Sequence, residues 1–140
     1  MSSARKLLKI VSFIQVILAV VTVVLGVMGA SGAGSATGEV NLLVIALEAS
    51  VAATIGGVLA IVLGVALFAS AAMGVRGANR PSALGSHMAI SALCVILGII
   101  GVFICLNASA MPAAVCCAFD AVLGVLAALY DSKVKKELDR

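Results

Sequence analysis

Tryptophan is absent from this chain, tyrosine occurs once, and only 11% of the residues carry a formal charge. Without aromatic faces there is little to hold an organic cation by cation–π contact. With so little charge, the surface is not that of an ordinary water-exposed domain. Cys-x-x-Cys spacing is also missing. Cys116 and Cys117 are adjacent, so on a helix they point about 100° apart, and no zinc site is expected. The Gly-rich segment at 31–38 has neither the preceding strand nor the lysine of a phosphate loop and reads as a polar linker. No nucleophile with a neighbouring base and no paired carboxylates occur. No catalytic residue, metal or cofactor is therefore assigned, and the chain is expected to be non-enzymatic.

What the chain does have is apolar sequence: 64% hydrophobic residues and a mean hydropathy of +1.30. Crossing a hydrocarbon core takes about 20 mostly apolar residues as a helix. Residues 7–30, 42–75, 84–106 and 111–130 each meet that requirement. The second stretch would be about 51 Å long as one helix, so it either tilts and projects or is broken. Its membrane-crossing part is placed at 51–75, with Asn41 as the candidate cap of a helix that begins early. The expected fold is an all-α membrane protein: an antiparallel four-helix transmembrane bundle with short loops, forming a single domain over 1–140.

Charge gives the expected orientation. The nine basic residues fall before the first span (Arg5, Lys6, Lys9), between the second and third (Arg76, Arg80) and after the fourth (Lys133, Lys135, Lys136, Arg140). The other two connections have none. The positive-inside rule then puts both termini in the cytoplasm. Basic residues bordering a bilayer meet anionic headgroups, so the net charge of +3 is not a nucleic-acid signal. Absence of targeting signals and the spare loops point to a bacterial cell membrane.

Each span separates small from bulky side chains at helical spacing. In the second, Gly56, Gly57, Ala60, Gly64, Ala71 and Gly74 share an arc of about 100°, opposite Val58, Val62 and Val65. The first sets Ser12, Gln15, Ala19, Thr22 and Gly26 against Phe13, Ile17, Val20 and Val24. In the third, His87, Ser91, Cys94, Gly98 and Cys105 oppose Leu93, Ile96, Ile100 and Phe103. The fourth sets Cys117, Asp120, Gly124 and Ala127 against Val115, Phe119 and Val122. Lipid offers no hydrophobic drive for helix association, so contact comes from close backbone approach at small residues. Gly26, Gly56, Gly57, Ala60, Gly64, Gly98 and Gly124 are the candidate packing positions.

Asp120 lies about ten residues from either end of its span, where an aspartate costs about 2.5 to 3.5 kcal/mol even on the insertion scale. On the small face it points inward, level with Ala19, Gly64 and Cys94. Gln15, Thr22 and Ser91 are the candidate hydrogen-bond partners. Asp120, Gln15, Ser91 and His87 form the candidate proton- or ion-binding set, with His87 as a relay at the cytoplasmic mouth. The four cysteines read as small, polarizable packing residues, with a disulfide between Cys105 and Cys116, near the external end of one hairpin, as the alternative.

The leading functional expectation is a non-enzymatic scaffold or accessory subunit. Its partners would be the lipid bilayer and, through helix packing, itself or a larger membrane complex. The alternative is a small proton- or ion-linked transporter or channel using Asp120.

Overall fold

The computed structural model describes residues 3–42 and 45–138 and is 89% helical. It contains four helices long and apolar enough to span a membrane: α1 (Ser3–Gly32), α2 (Ala49–Asn79), α3 (Leu84–Asn107) and α4 (Met111–Leu138). Arg140, one of the nine basic residues, lies outside the described residues.

Of the two alternatives for the long second stretch, the structure has the break, and the helix starts at Ala49. Residues 39–48 form a β-hairpin instead, with β1 (Glu39–Leu42) antiparallel to β2 (Ile45–Glu48). Val40 faces Leu47 and Leu42 faces Ile45 across the register. Asn41 is thus a strand residue paired with Ala46, not a helix cap. The segment is apolar without a distinguishing period, and its β-branched Val40 and Ile45 favour the pleated pairing that closes locally. Gly38 supplies the turn into it at φ 104°, a conformation that L side chains rarely adopt. Its carbonyl accepts the Ala49 N–H at 2.8 Å, fixing the hairpin to the start of α2. Leu43 and Val44 lie outside the described residues.

The helices pack in sequence around a ring, α1 against α2, α2 against α3, α3 against α4 and α4 back against α1. Glycine contacts give the antiparallel register of α1 and α2. A Cβ on Gly57 would stand 2.5 Å from the Ala30 nitrogen, and one on Gly64 would stand 2.9 Å from the Ala19 carbonyl. On the α3–α4 side, Gly98 faces the Cys117 carbonyl at 3.0 Å and Gly124 faces the Ser91 carbonyl at 3.0 Å, measured from the same added atom. Gly26 is equally tight, 2.8 Å from the Gly57 carbonyl. Gly56 differs: an added Cβ would make ordinary contacts at 3.5 Å with Cys105 and Ile104, so only small size is needed there.

The small faces are buried as the spacing predicts, and the bulky ones are exposed. Ala19, Ala60, Cys94, Cys117 and Ala127 are buried, with the larger Leu63 and Leu67 beside them, whereas Phe13, Ile17, Val65, Ile96 and Phe119 are exposed. Ala4, Leu8, Ala78, Leu84 and Val134 form a second apolar cluster at the end of the bundle that carries the chain termini. The opposite end carries the hairpin and the α3–α4 turn. That turn closes as a Schellman motif: Ala110 N–H bonds Cys105 O at 2.8 Å, Ser109 N–H bonds Leu106 O at 3.2 Å, and Ser109 has φ 57°.

Candidate functional site

Two polar clusters lie on the axis of the bundle. The first is Asp120 with Thr22. Asp120 is fully buried on α4, and its Oδ2 accepts a hydrogen bond from Thr22 Oγ1 of α1 at 2.7 Å. Asp120 Oδ1 has no hydrogen-bond partner among the described residues. The neighbouring turns explain the burial: Gly124, one turn along α4, brings α3 to backbone contact, and Cys117 packs into the core three residues before.

The second cluster sits eleven residues further along α4, about 16 Å by helical rise. His87 of α3 is fully buried, and its Nδ1 stands 2.8 and 2.7 Å from the two carboxylate oxygens of Asp131. A carboxylate only accepts, so Nδ1 carries the proton and donates. In the neutral ring Nε2 is then the acceptor, and it lies 3.3 Å from Ser70 Oγ and 3.5 Å from Ser91 Oγ. The two hydroxyls are 3.2 Å apart, so one donates to the other. Gly74 of α2 creates the space. An added Cβ there would collide with Ser12 Oγ and stand 2.9 Å from His87 Nε2. Ser12 itself donates to the Leu8 carbonyl at 2.9 Å, which satisfies its hydroxyl within α1.

Gln15 belongs to neither cluster. It is fully buried, and both its amide nitrogen and its amide oxygen are without a hydrogen-bond partner among the described residues. In α1 it lies seven residues from Thr22 and three from Ser12, between the two clusters in depth.

The candidate set is thus divided by the structure. Of the expected partners of Asp120 only Thr22 reaches it, while Ser91 joins His87 instead. His87 is an internal residue tied to Asp131. Asp131 and Ser70 are the residues that sequence reasoning missed. Both carry a signal in hindsight: Asp131 follows Ala127 by four residues and Gly124 by seven, and Ser70 precedes Gly74 by four, so each lies on the small face of its helix.

All four cysteines are free. That agrees with the packing reading and sets aside the alternative Cys105–Cys116 pair: Cys94, Cys105 and Cys117 are buried in the core, and Cys116 is half-buried. Among the described residues no group of three or more His, Cys, Asp or Glu side chains is arranged to hold a metal ion. Chemically, the axis offers a carboxyl group with one open oxygen, a histidine–carboxylate pair, hydroxyls that both donate and accept, and an amide that can do both. These are groups that bind and pass protons or hold a small cation; the Ser70 hydroxyl beside His87 Nε2, with Asp131 on Nδ1, also has the order of a hydroxyl, a base and an orienting carboxylate, and all three are buried. Comparison with protein-family models, with curated proteins and with solved structures finds no match to this chain in any of the three.

Proposed function

We propose that this chain is a small proton- or ion-linked transporter or channel of a bacterial cell membrane, with both termini cytoplasmic and Asp120 as the group that takes up the transported charge. One observation carries the reading: the Asp120 carboxyl is fully buried about halfway along the apolar part of α4, 111–130, with one oxygen bonded to Thr22 and the other unpartnered among the described residues. An ionisable side chain at that depth is costly, and a purely structural one gains most when both oxygens are satisfied. The open Oδ1 is where a proton binds, giving the neutral acid. Its release on the other side restores the carboxylate.

The basic residues support the orientation. Arg5, Lys6, Lys9, Arg76, Arg80, Lys133, Lys135 and Lys136 belong to the end of the bundle that carries the termini, while Glu39 and Glu48 face each other in the hairpin at the other end. Flux into liposomes tests the proposal: wild type conducts protons or small cations down an imposed gradient, and Asp120→Asn does not.

A second reading, a scaffold or accessory subunit, draws on the bulky apolar exterior and on an apolar cleft between α1 and α2. The cleft is lined by Ala19, Val23, Gly64 and Phe68 and encloses about 250 Å³. It ranks below the first because the small faces that would pack against another protein are already turned inward. A stoichiometric membrane partner retained through mild-detergent purification would reverse that order.

A further inference from the structure

We infer that the Gln15 amide holds internal water, and that this water joins the His87–Asp131 cluster to Asp120 in a single hydrogen-bonded path along the bundle axis. As a limb of a proton path the inference rests on the proposed function. As a water site it stands on the geometry alone.

The argument begins with Gln15 itself. A fully buried primary amide brings two donor hydrogens and an acceptor oxygen, and here none of them is satisfied by the described residues. Leaving such groups bare inside an apolar bundle is costly, and water is the small molecule that both donates to the oxygen and accepts from the nitrogen.

The helix register supplies the surroundings. Gly74 meets Ser12, and Gly64 meets Ala19 and Val23, so Gln15 lies at the level of residues 68–72 of α2. Thr22 meets Asp120, which puts Gln15 level with Ala127 of α4. Buried residues nearest that level are Leu67, Ser70, Ala71, Ser91 and Ala127, of which only Leu67 is large.

The path that follows has protein groups at its ends and middle, with water between them. Asp131 accepts from His87 Nδ1, and His87 Nε2 faces the Ser70 and Ser91 hydroxyls. Those hydroxyls reach the Gln15 amide through water. From Gln15 to the open Oδ1 of Asp120 the path takes more than one water, since seven residues of helix, about 10 Å, separate Gln15 from Thr22 and a single water bridges about 6 Å. Along such a chain each water accepts one proton and releases another, so charge moves while no heavy atom leaves its place. Gln15 acts here as a positioning residue, because its amide holds the water and does not itself titrate.

Gln15 is the only glutamine in the chain, so ¹⁵N-glutamine labelling gives one side-chain amide signal. Solid-state NMR of the protein in lipid bilayers should show polarisation transfer from water to the Gln15 Nε2 hydrogens and their exchange with D₂O. A Gln15 amide that receives no transfer from water and stays protonated in D₂O would overturn the inference. Liposome flux supplies the second readout. Gln15→Leu, checked for wild-type helicity and monodispersity, should conduct about tenfold less than wild type or lower still, and unchanged flux in a folded Gln15→Leu overturns the path. The two ideas fail separately: a hydrated Gln15 in a protein that conducts nothing keeps the water site and removes the transport reading, whereas conduction with a dry Gln15 removes the path and keeps the transport reading.

Discussion

Thr22 Oγ1 donates to Asp120 Oδ2 at 2.7 Å, joining the first and last long helices across 98 residues of chain. It is the one side-chain hydrogen bond that Asp120 makes among the described residues, and it leaves the second carboxylate oxygen open. Thr22→Val keeps the shape and removes the donor. The variant should lose about 1 to 3 kcal/mol of stability, the cost of leaving a buried acceptor unsatisfied. Reversible unfolding in mixed detergent would measure it, and a loss well below that range would show that Asp120 finds another donor.

His87 and Asp131 are paired where neither is exposed. Removing one partner of this buried hydrogen-bonded pair leaves the other unsatisfied, so Asp131→Asn or His87→Ala should each cost about 1 to 3 kcal/mol or more. The double variant should cost clearly less than the two losses added together, because the unsatisfied group is gone. A double-mutant cycle on thermal or denaturant unfolding checks this, and additive losses would mean that the pair is not coupled.

The two adjacent glycines of α2 make a matched comparison. Gly57→Ala drives a methyl group to within 2.5 Å of the Ala30 backbone nitrogen, whereas Gly56→Ala makes ordinary contacts at 3.5 Å. Gly57→Ala should therefore destabilise by about 1 to 3 kcal/mol, as overpacking does. Gly56→Ala should stay within about 0.5 kcal/mol of wild type. Equal effects at both positions would contradict the α1–α2 register.

Ser109 occupies the left-handed position of the α3–α4 turn at φ 57°. Glycine adopts that conformation without a Cβ penalty, so Ser109→Gly should stabilise the protein by about 1 kcal/mol. A lowered unfolding midpoint would count against this turn geometry.

Much of this arrangement is legible in the sequence because long apolar helices that pack by one small face carry a strong period. Phe13, Ile17 and Val65 on one side and Ala19, Ala60 and Gly64 on the other sort themselves by the 3.6-residue repeat, and the same repeat turns Asp120 inward. The hairpin at 39–48 is not legible in that way. Its apolar residues fit a buried helix as well as a strand, and only the cross-strand partners decide. The His87–Asp131 pair is hidden for a different reason. The two residues are 44 positions apart, and their meeting depends on the α3–α4 register that Gly98 and Gly124 set. From the sequence alone, Asp131 reads as the first residue of a charged tail. Gln15 is visible as a polar residue on an inward face, but that nothing answers its amide appears only once all four helices are in place.

The most direct test of the account is proton and cation flux into liposomes holding purified protein, under an imposed pH gradient and then a membrane potential, with wild type beside Asp120→Asn. Asparagine keeps the shape and still accepts from Thr22, but it cannot take up a proton. The account predicts flux in wild type that falls to the protein-free background in a folded Asp120→Asn. Flux equal in the two proteins, or absent from both, would contradict it and leave Asp120 as a structural residue of the bundle.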